Sequence, residues 1–154
     1  MRFGPRIFLL FSFILLLFAG CAFPRPESGA QCIMEQGFTC EPARLFNGTN
    51  GTTYLDFTFG TTQAQRIVVW EAACTLAPPQ PQDEKNGLNV SGNVVLAPGS
   101  AHRFAVQCKD GYAPVSSAAG NFTGYVTLWY NYENDLDYTI TRQETGNVSG
   151  TIGG

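Results

Sequence analysis

Charge is scarce in this chain. Only 14% of its 154 residues are Asp, Glu, Lys or Arg, and the nine Lys and Arg form no cluster. Counterion release from a phosphate backbone needs such a cluster, so no nucleic-acid partner is expected. Histidine is nearly absent: His102 stands alone, beside two methionines. Imidazole catalysis and imidazole metal sites have little to draw on, and no cofactor is expected. Good helix formers are few. Outside the N-terminal segment no stretch carries a sustained apolar stripe of helical period. What replaces them is 17 glycines, nine prolines and 13% aromatics, the composition of an all-β chain. About 150 residues make about one domain.

The first twenty residues stand apart. Arg2 and Arg6 precede an apolar run from Ile7 to Phe18, closed by Ala19-Gly20-Cys21. A positive start, a short apolar stretch and small residues describe a secretory signal. Extended to Phe23 the run has 17 residues, the lower bound for a spanning helix. Pro24 and Pro26 then end any helix. Leu17-Phe18-Ala19-Gly20-Cys21 resembles the lipobox of prokaryotic lipoproteins, which implies cleavage before Cys21 and a lipid on its sulfur. An uncleaved membrane helix is the alternative. A type IV pilin helix fits less well: its processing site would fall near Gly4, leaving Pro5 first, and no acidic residue follows early. The expected organisation is signal or anchor at 1–20, a spacer at 21–31 containing AFPRPESGA, and a β domain at 32–154. The chain from Cys21 onward has seven Lys and Arg against twelve Asp and Glu, a net charge of -5.

Cys21 aside, four cysteines remain: Cys32, Cys40, Cys74 and Cys108. An even count in an exported domain implies two disulfides, with three possible connectivities. Nearest-neighbour pairing, Cys32–Cys40 and Cys74–Cys108, is expected; loop closure assigns them roughly 2.5 and roughly 4 kcal/mol. No paired C-x-x-C spacing supports zinc. Beyond residue 20 there are nine Asn, and 20 of 134 residues are Ser or Thr. Chance would place about one Asn in an N-x-S/T triplet. There are five, at Asn47, Asn50, Asn89, Asn121 and Asn147, so N-glycans on exposed turns are expected. A lipobox together with dense sequons points to an archaeal cell surface.

Period-two alternation recurs between turn signals. Leu55, Phe57 and Phe59 share one face of 54–59, and Phe104, Val106 and Cys108 one face of 102–108. Residues 66–75 are apolar on both faces, as a central strand is. The longest run, 121–132, places Phe122, Gly124, Val126, Leu128 and Tyr130 on one side. Segments 88–97, 138–142 and a weak 147–152 complete roughly seven strands, which suggests a two-sheet antiparallel β-sandwich of immunoglobulin-like or jelly-roll kind. Cys74–Cys108 would then join strand ends across its core. The segment from Ala77 to Gly87 reads as an exposed Pro-rich loop.

Cys32…Gly37-Phe-Thr-Cys40, Phe104…Cys108, Gly120-Asn-Phe-Thr-Gly-Tyr-Val-Thr-Leu-Trp-Tyr130 and Gly150-Thr-Ile152 resemble the β domain of archaeal pilin-like and surface proteins, from about Gln31 onward. The resemblance implies a β-sandwich head displayed outside the cell, sometimes as a filament subunit, without catalysis. The N-terminus departs from it, fitting a lipid anchor better than a pilin helix.

Candidate chemistry is thin. Ser100 lies two residues from His102, but no Gly-x-Ser-x-Gly elbow exists. Glu71, beside Trp70, is expected to form an ion pair with Arg66 or Arg103. Asn131, Glu133, Asp135 and Asp137 alternate like calcium ligands, yet Leu136 stands where that loop needs glycine. Trp129 and Tyr132, with Tyr130 and Tyr138, could offer an aromatic platform to sugar rings. Two roles follow: a structural component of the envelope or of a pilus-like filament, or a lipid-anchored module binding carbohydrate or solute. The expected partners are the membrane through the N-terminus, other copies of the chain, and surface polysaccharide. Weak lateral self-association is expected through an unpaired edge at Asn147–Ile152 or through the aromatic face. The spacer is a candidate donor strand, which Pro24 and Pro26 argue against by removing N–H groups from the ladder.

Overall fold

The computed structural model describes residues 29–41, 43–79, 88–116, 120–135 and 141–153. The expected strand at 138–142 and the Pro-rich loop from residue 80 fall largely outside these residues, as do Cys21, Asp137 and the whole signal segment. All described regular structure is β. No helix among the described residues is long and apolar enough to cross a membrane.

Ten strands follow in order: β1 (Gly29–Ile33), β2 (Phe38–Thr39), β3 (Ala43–Asn47), β4 (Thr53–Thr61), β5 (Ile67–Thr75), β6 (Leu88–Leu96), β7 (Ala101–Asp110), β8 (Ala113–Pro114), β9 (Asn121–Tyr132) and β10 (Arg142–Thr151). Seven of them close a ring, β4-β3-β1-β10-β9-β5-β7 and back to β4. The expectation of two separate antiparallel sheets is therefore corrected to one closed barrel. Two strands make the difference, each passing from one side of the ring to the other. Along β1, Ala30 pairs with Ala43 of β3, and Gln31 already pairs with Ser149 of β10. Along β7, Ala101 to Gln107 pair with β4, and Cys108 pairs with Cys74 of β5. The β5–β7 joint is also parallel, against the otherwise antiparallel pattern. Alternation reports which side of a strand is buried, but a closed barrel and a sandwich bury the same side.

The expected inward faces are found inward. Leu45, Leu55, Phe57 and Phe59 of β3 and β4, Phe104 and Val106 of β7, Phe122, Val126 and Leu128 of β9, and Val148 of β10 form one core. In β5 a bulge at Trp70 resets the alternation, so that Ile67 and Val69 point in before it and Ala72 and Cys74 after it. Both expected disulfides are present. Cys32–Cys40 closes the loop leading into β2, and Cys74–Cys108 links registered neighbours with Cα atoms 4.4 Å apart. The second bridge fastens the barrel's parallel joint and does not span the core as expected.

The C-terminal segment differs most from expectation. Instead of a weak edge, β10 pairs along all ten of its residues with β9 and also with β1. Its glycines, which weaken the strand signal, permit close approach: a Cβ on Gly150 would lie 2.9 Å from Ala30 Cα, and one on Gly146 2.7 Å from Ile33 O. The strand beside it begins at Gly29, inside the stretch expected as spacer. An edge filled from within the chain is not open to a neighbour.

Candidate functional site

Three of the five sequon asparagines gather at one end of the barrel. The β3–β4 turn is tight: Gly48 N–H donates to Thr52 O (2.8 Å), Gly51 N–H to Gly48 O (3.0 Å), and Gly51 adopts a φ of 73°. Asn50 Oδ1 accepts from the backbone N–H of Thr52 (3.3 Å) and from its hydroxyl (2.6 Å). The C-terminal residues fold against this turn. Gly153 N–H donates to Leu45 O, and Asn47 N–H to Gly153 O, each at 3.0 Å. Ile152 N–H donates to Gly120 O (2.9 Å), which brings the start of β9, and Asn121 with it, to the same end. Asn47, Asn50 and Asn121 are all exposed. Asn147 is exposed farther along the wall, opposite Ile33 and Tyr125. Asn89 lies in β6 opposite Glu71.

The other end is closed by the Cys32–Cys40 loop. Phe38 stacks on Phe59 (5.4 Å between centroids) and tilts against Tyr130 (5.5 Å). Glu35 N–H donates to Glu144 Oε1 (3.1 Å), tying the loop to β10. Burial pushes the Glu144 carboxyl above its ordinary range; the Glu35 N–H opposes this, and the Glu35 carboxylate adds to it. Burial likewise pushes the Tyr130 hydroxyl up to about 12, with Tyr132 and Glu144 contributing and Arg142 opposing. The Arg142 guanidinium sits 4.2 Å over the Tyr132 ring and donates to Asp135.

The expected aromatic platform loses its tryptophan. Trp129 is 1% exposed, so its ring offers no face to a ligand, and Tyr132 is covered by Arg142. Three of the four oxygen ligands suggested for calcium are separately engaged. Asn131 Oδ1 accepts from Trp70 Nε1 (2.9 Å), Glu133 from Arg66 (3.2 Å), and Asp135 from Arg142 and Tyr132 N–H. No cluster of three or more metal-ligating His, Cys, Asp or Glu occurs among the described residues. The two arginines expected beside Glu71 have other carboxylate partners. Arg66 pairs with Glu133, and Arg103 with Asp56, whose carboxyl that hydrogen bond holds below its usual range. Glu71 is nonetheless buried, as its Trp-flanked position suggested. Ser100 Oγ donates to Ala97 O (2.7 Å), and His102 lies edge-on to Phe104, so the two make no nucleophile–base pair.

Sequence reasoning passed over a second aromatic pair. Phe46 and Tyr54 are cross-strand partners on the outside of β3 and β4, stacked at 5.5 Å. The available signal was position: the two flank the Asn47–Thr52 turn and must meet if it closes a hairpin. Comparison of the chain with family models, curated proteins and solved structures finds no match.

Proposed function

We propose that the chain is a non-enzymatic, glycosylated cell-surface protein of archaeal type, carried on the membrane by its N-terminal segment through Cys21. It serves as a structural component of the envelope or of a pilus-like surface filament. The observation that carries this reading is the pairing of two buried disulfides with the exposure of four of the five sequon asparagines, Asn47, Asn50, Asn121 and Asn147. Disulfides persist in oxidising compartments, and exposed sequons suit a glycan-bearing wall. Two buried cross-links suit a small domain that has to endure outside the cell.

Mass spectrometry of the protein recovered from its native membrane tests the proposal. A mature chain beginning at lipid-bearing Cys21, with hexose-bearing peptides around the sequons, is expected. A soluble, unlipidated chain with every sequon bare would overturn it. Cys21→Ser is expected to leave an uncleaved precursor or to release unlipidated protein, and unchanged mass with unchanged membrane retention would remove the lipid anchor from the proposal.

A further inference from the structure

Asn50 and Thr52 lie in the turn that enters β4, four and two residues before Tyr54. They are also neighbours in space. A Cβ at Gly48 would lie 2.4 Å from Tyr54 Cε2 and 3.0 Å from Asn50 Oδ1, so only glycine fits between ring and sequon. The sequon threonine is fixed from the adjacent strand: Gln107 Nε2 donates to Thr52 Oγ1 (3.0 Å), while that hydroxyl donates to Asn50. Beside them the outer wall is hollowed. A groove of about 200 Å³ is lined by Tyr54, Gln107, Ala105 and Ala73, among others. It lies where β7 leaves β4 to join β5, and the alanines keep its floor low. Its volume equals that of about six or seven waters at about 30 Å³ each, which suits one sugar ring and not a chain of them.

Resting on the reading of a glycosylated surface protein, we propose that Asn50 is a glycan acceptor and that the first sugar of its glycan packs in this groove, its C–H face on Tyr54 and a hydroxyl at the Gln107 carboxamide. The occupant is thus part of the chain's own covalent structure. Attachment joins Asn50 Nδ2 to the anomeric carbon of a lipid-phosphate-linked saccharide. The anomeric C–O bond to phosphate breaks, the phosphate leaves with its electron pair, and one Nδ2 proton is lost. An aromatic ring with an apolar face and a nearby amide is the common chemistry for holding a pyranose. A sugar held there covers apolar wall that would otherwise face water.

The test is a double-mutant cycle on the full chain, produced once in an N-glycosylating host and once in a host that does not glycosylate. In the glycosylating host Asn50→Gln is expected to lower Tm by several degrees in the wild-type background and to change little once Tyr54→Ala is present. In the other host the two changes should be additive. Should Tyr54→Ala fail to fold, Gln107→Ala replaces it in the same cycle, and the non-glycosylating host subtracts the Thr52 hydrogen bond. Additivity in both hosts would overturn the docking. A glycopeptide map of the native protein separates the two levels of inference. Sugar at other sequons with Asn50 bare overturns the proposal and leaves the glycoprotein reading standing; all five bare overturns both.

Discussion

Glu144 shows what a single residue contributes. Its carboxyl points into the barrel end opposite Leu128, where burial raises its pKa above the ordinary 4.5. The folded state therefore holds this proton more tightly than the unfolded state does. Stability is full below the unfolded value and is lost as pH rises through the folded one. Glu144→Gln keeps an oxygen for the Glu35 N–H and removes the ionisation. The variant is expected to melt no lower than wild type at neutral pH and to match it in acid, which a series of Tm measurements across pH would check. A larger pH slope in the variant would contradict it. Phe57, 1% exposed in the barrel centre, tests packing instead. Phe57→Ala is expected to cost about 3–5 kcal/mol in denaturant unfolding, the range for deleting a buried ring.

At the scale of elements, β5 and the joint it makes with β7 decide the architecture. A one-residue slip flips every side chain of a strand, and the bulge at Trp70 is such a slip built in. Without it, a strand that starts with Ile67 and Val69 inward would turn Cys74 outward. Deleting Trp70, by contrast, takes out the extra residue itself: Val69 and Glu71 become neighbours opposite Tyr130 and Trp129, and Ala72 and Cys74 stay inward. The Cys74–Cys108 bridge is then expected to form, leaving no thiol countable by alkylation; free Cys74 and Cys108 would refute this. Where the bridge does form, it holds a parallel ladder of two residue pairs, Cys74↔Cys108 and Thr75↔Lys109. Cys74→Ser with Cys108→Ser is expected to cost about 2–5 kcal/mol. Amide exchange should rise first along β7, while the long β9–β10 ladder stays protected.

For the whole molecule the question is where the folding unit starts. β1 lies between β3 and β10, and so is a stave of the ring. Removing residues 1–28 is expected to leave a cooperatively melting barrel, since β1 begins at Gly29. Removing 1–33 takes the stave and Cys32 together, exposes the flanks of β3 and β10, and should abolish the sharp transition. Circular dichroism melts of the two truncations would check this. The same closure weakens the idea of assembly through the edge at Asn147–Ile152, because Asn147, Val148 and Ser149 already have β1 on one side and β9 on the other. At the other end of β3 the C-terminal residues take over from β1: Gly153 lies beside Leu45 and Phe46, where Gly29 and Ala30 lie beside Arg44 and Ala43.

Much was legible from local pattern alone. Alternation at Leu55, Phe57 and Phe59 and at Phe104, Val106 and Cys108 depends only on the two-residue repeat of a strand, so the all-β class and the inward faces could be read directly. The disulfide pairing followed from short loops, which close at least entropic cost. The sequons are strings of three residues, and their places in the chain required no fold at all. What lay beyond reach depended on partners distant in sequence. Whether seven strands form two sheets or one ring turns on where β1 and β7 change neighbours, and hydrogen-bond partners leave no trace in alternation. Glycines in β10 read as weakness because the contact with Ala30 and Ile33 that requires them comes from the far end of the chain. Trp129 read as a ligand platform because a tryptophan on the polar side of a strand looks exposed until the neighbouring wall is in place. The Tyr54 groove, with its floor of small residues from β5 and β7, exists only where the tertiary structure brings those strands together beside the β3–β4 turn.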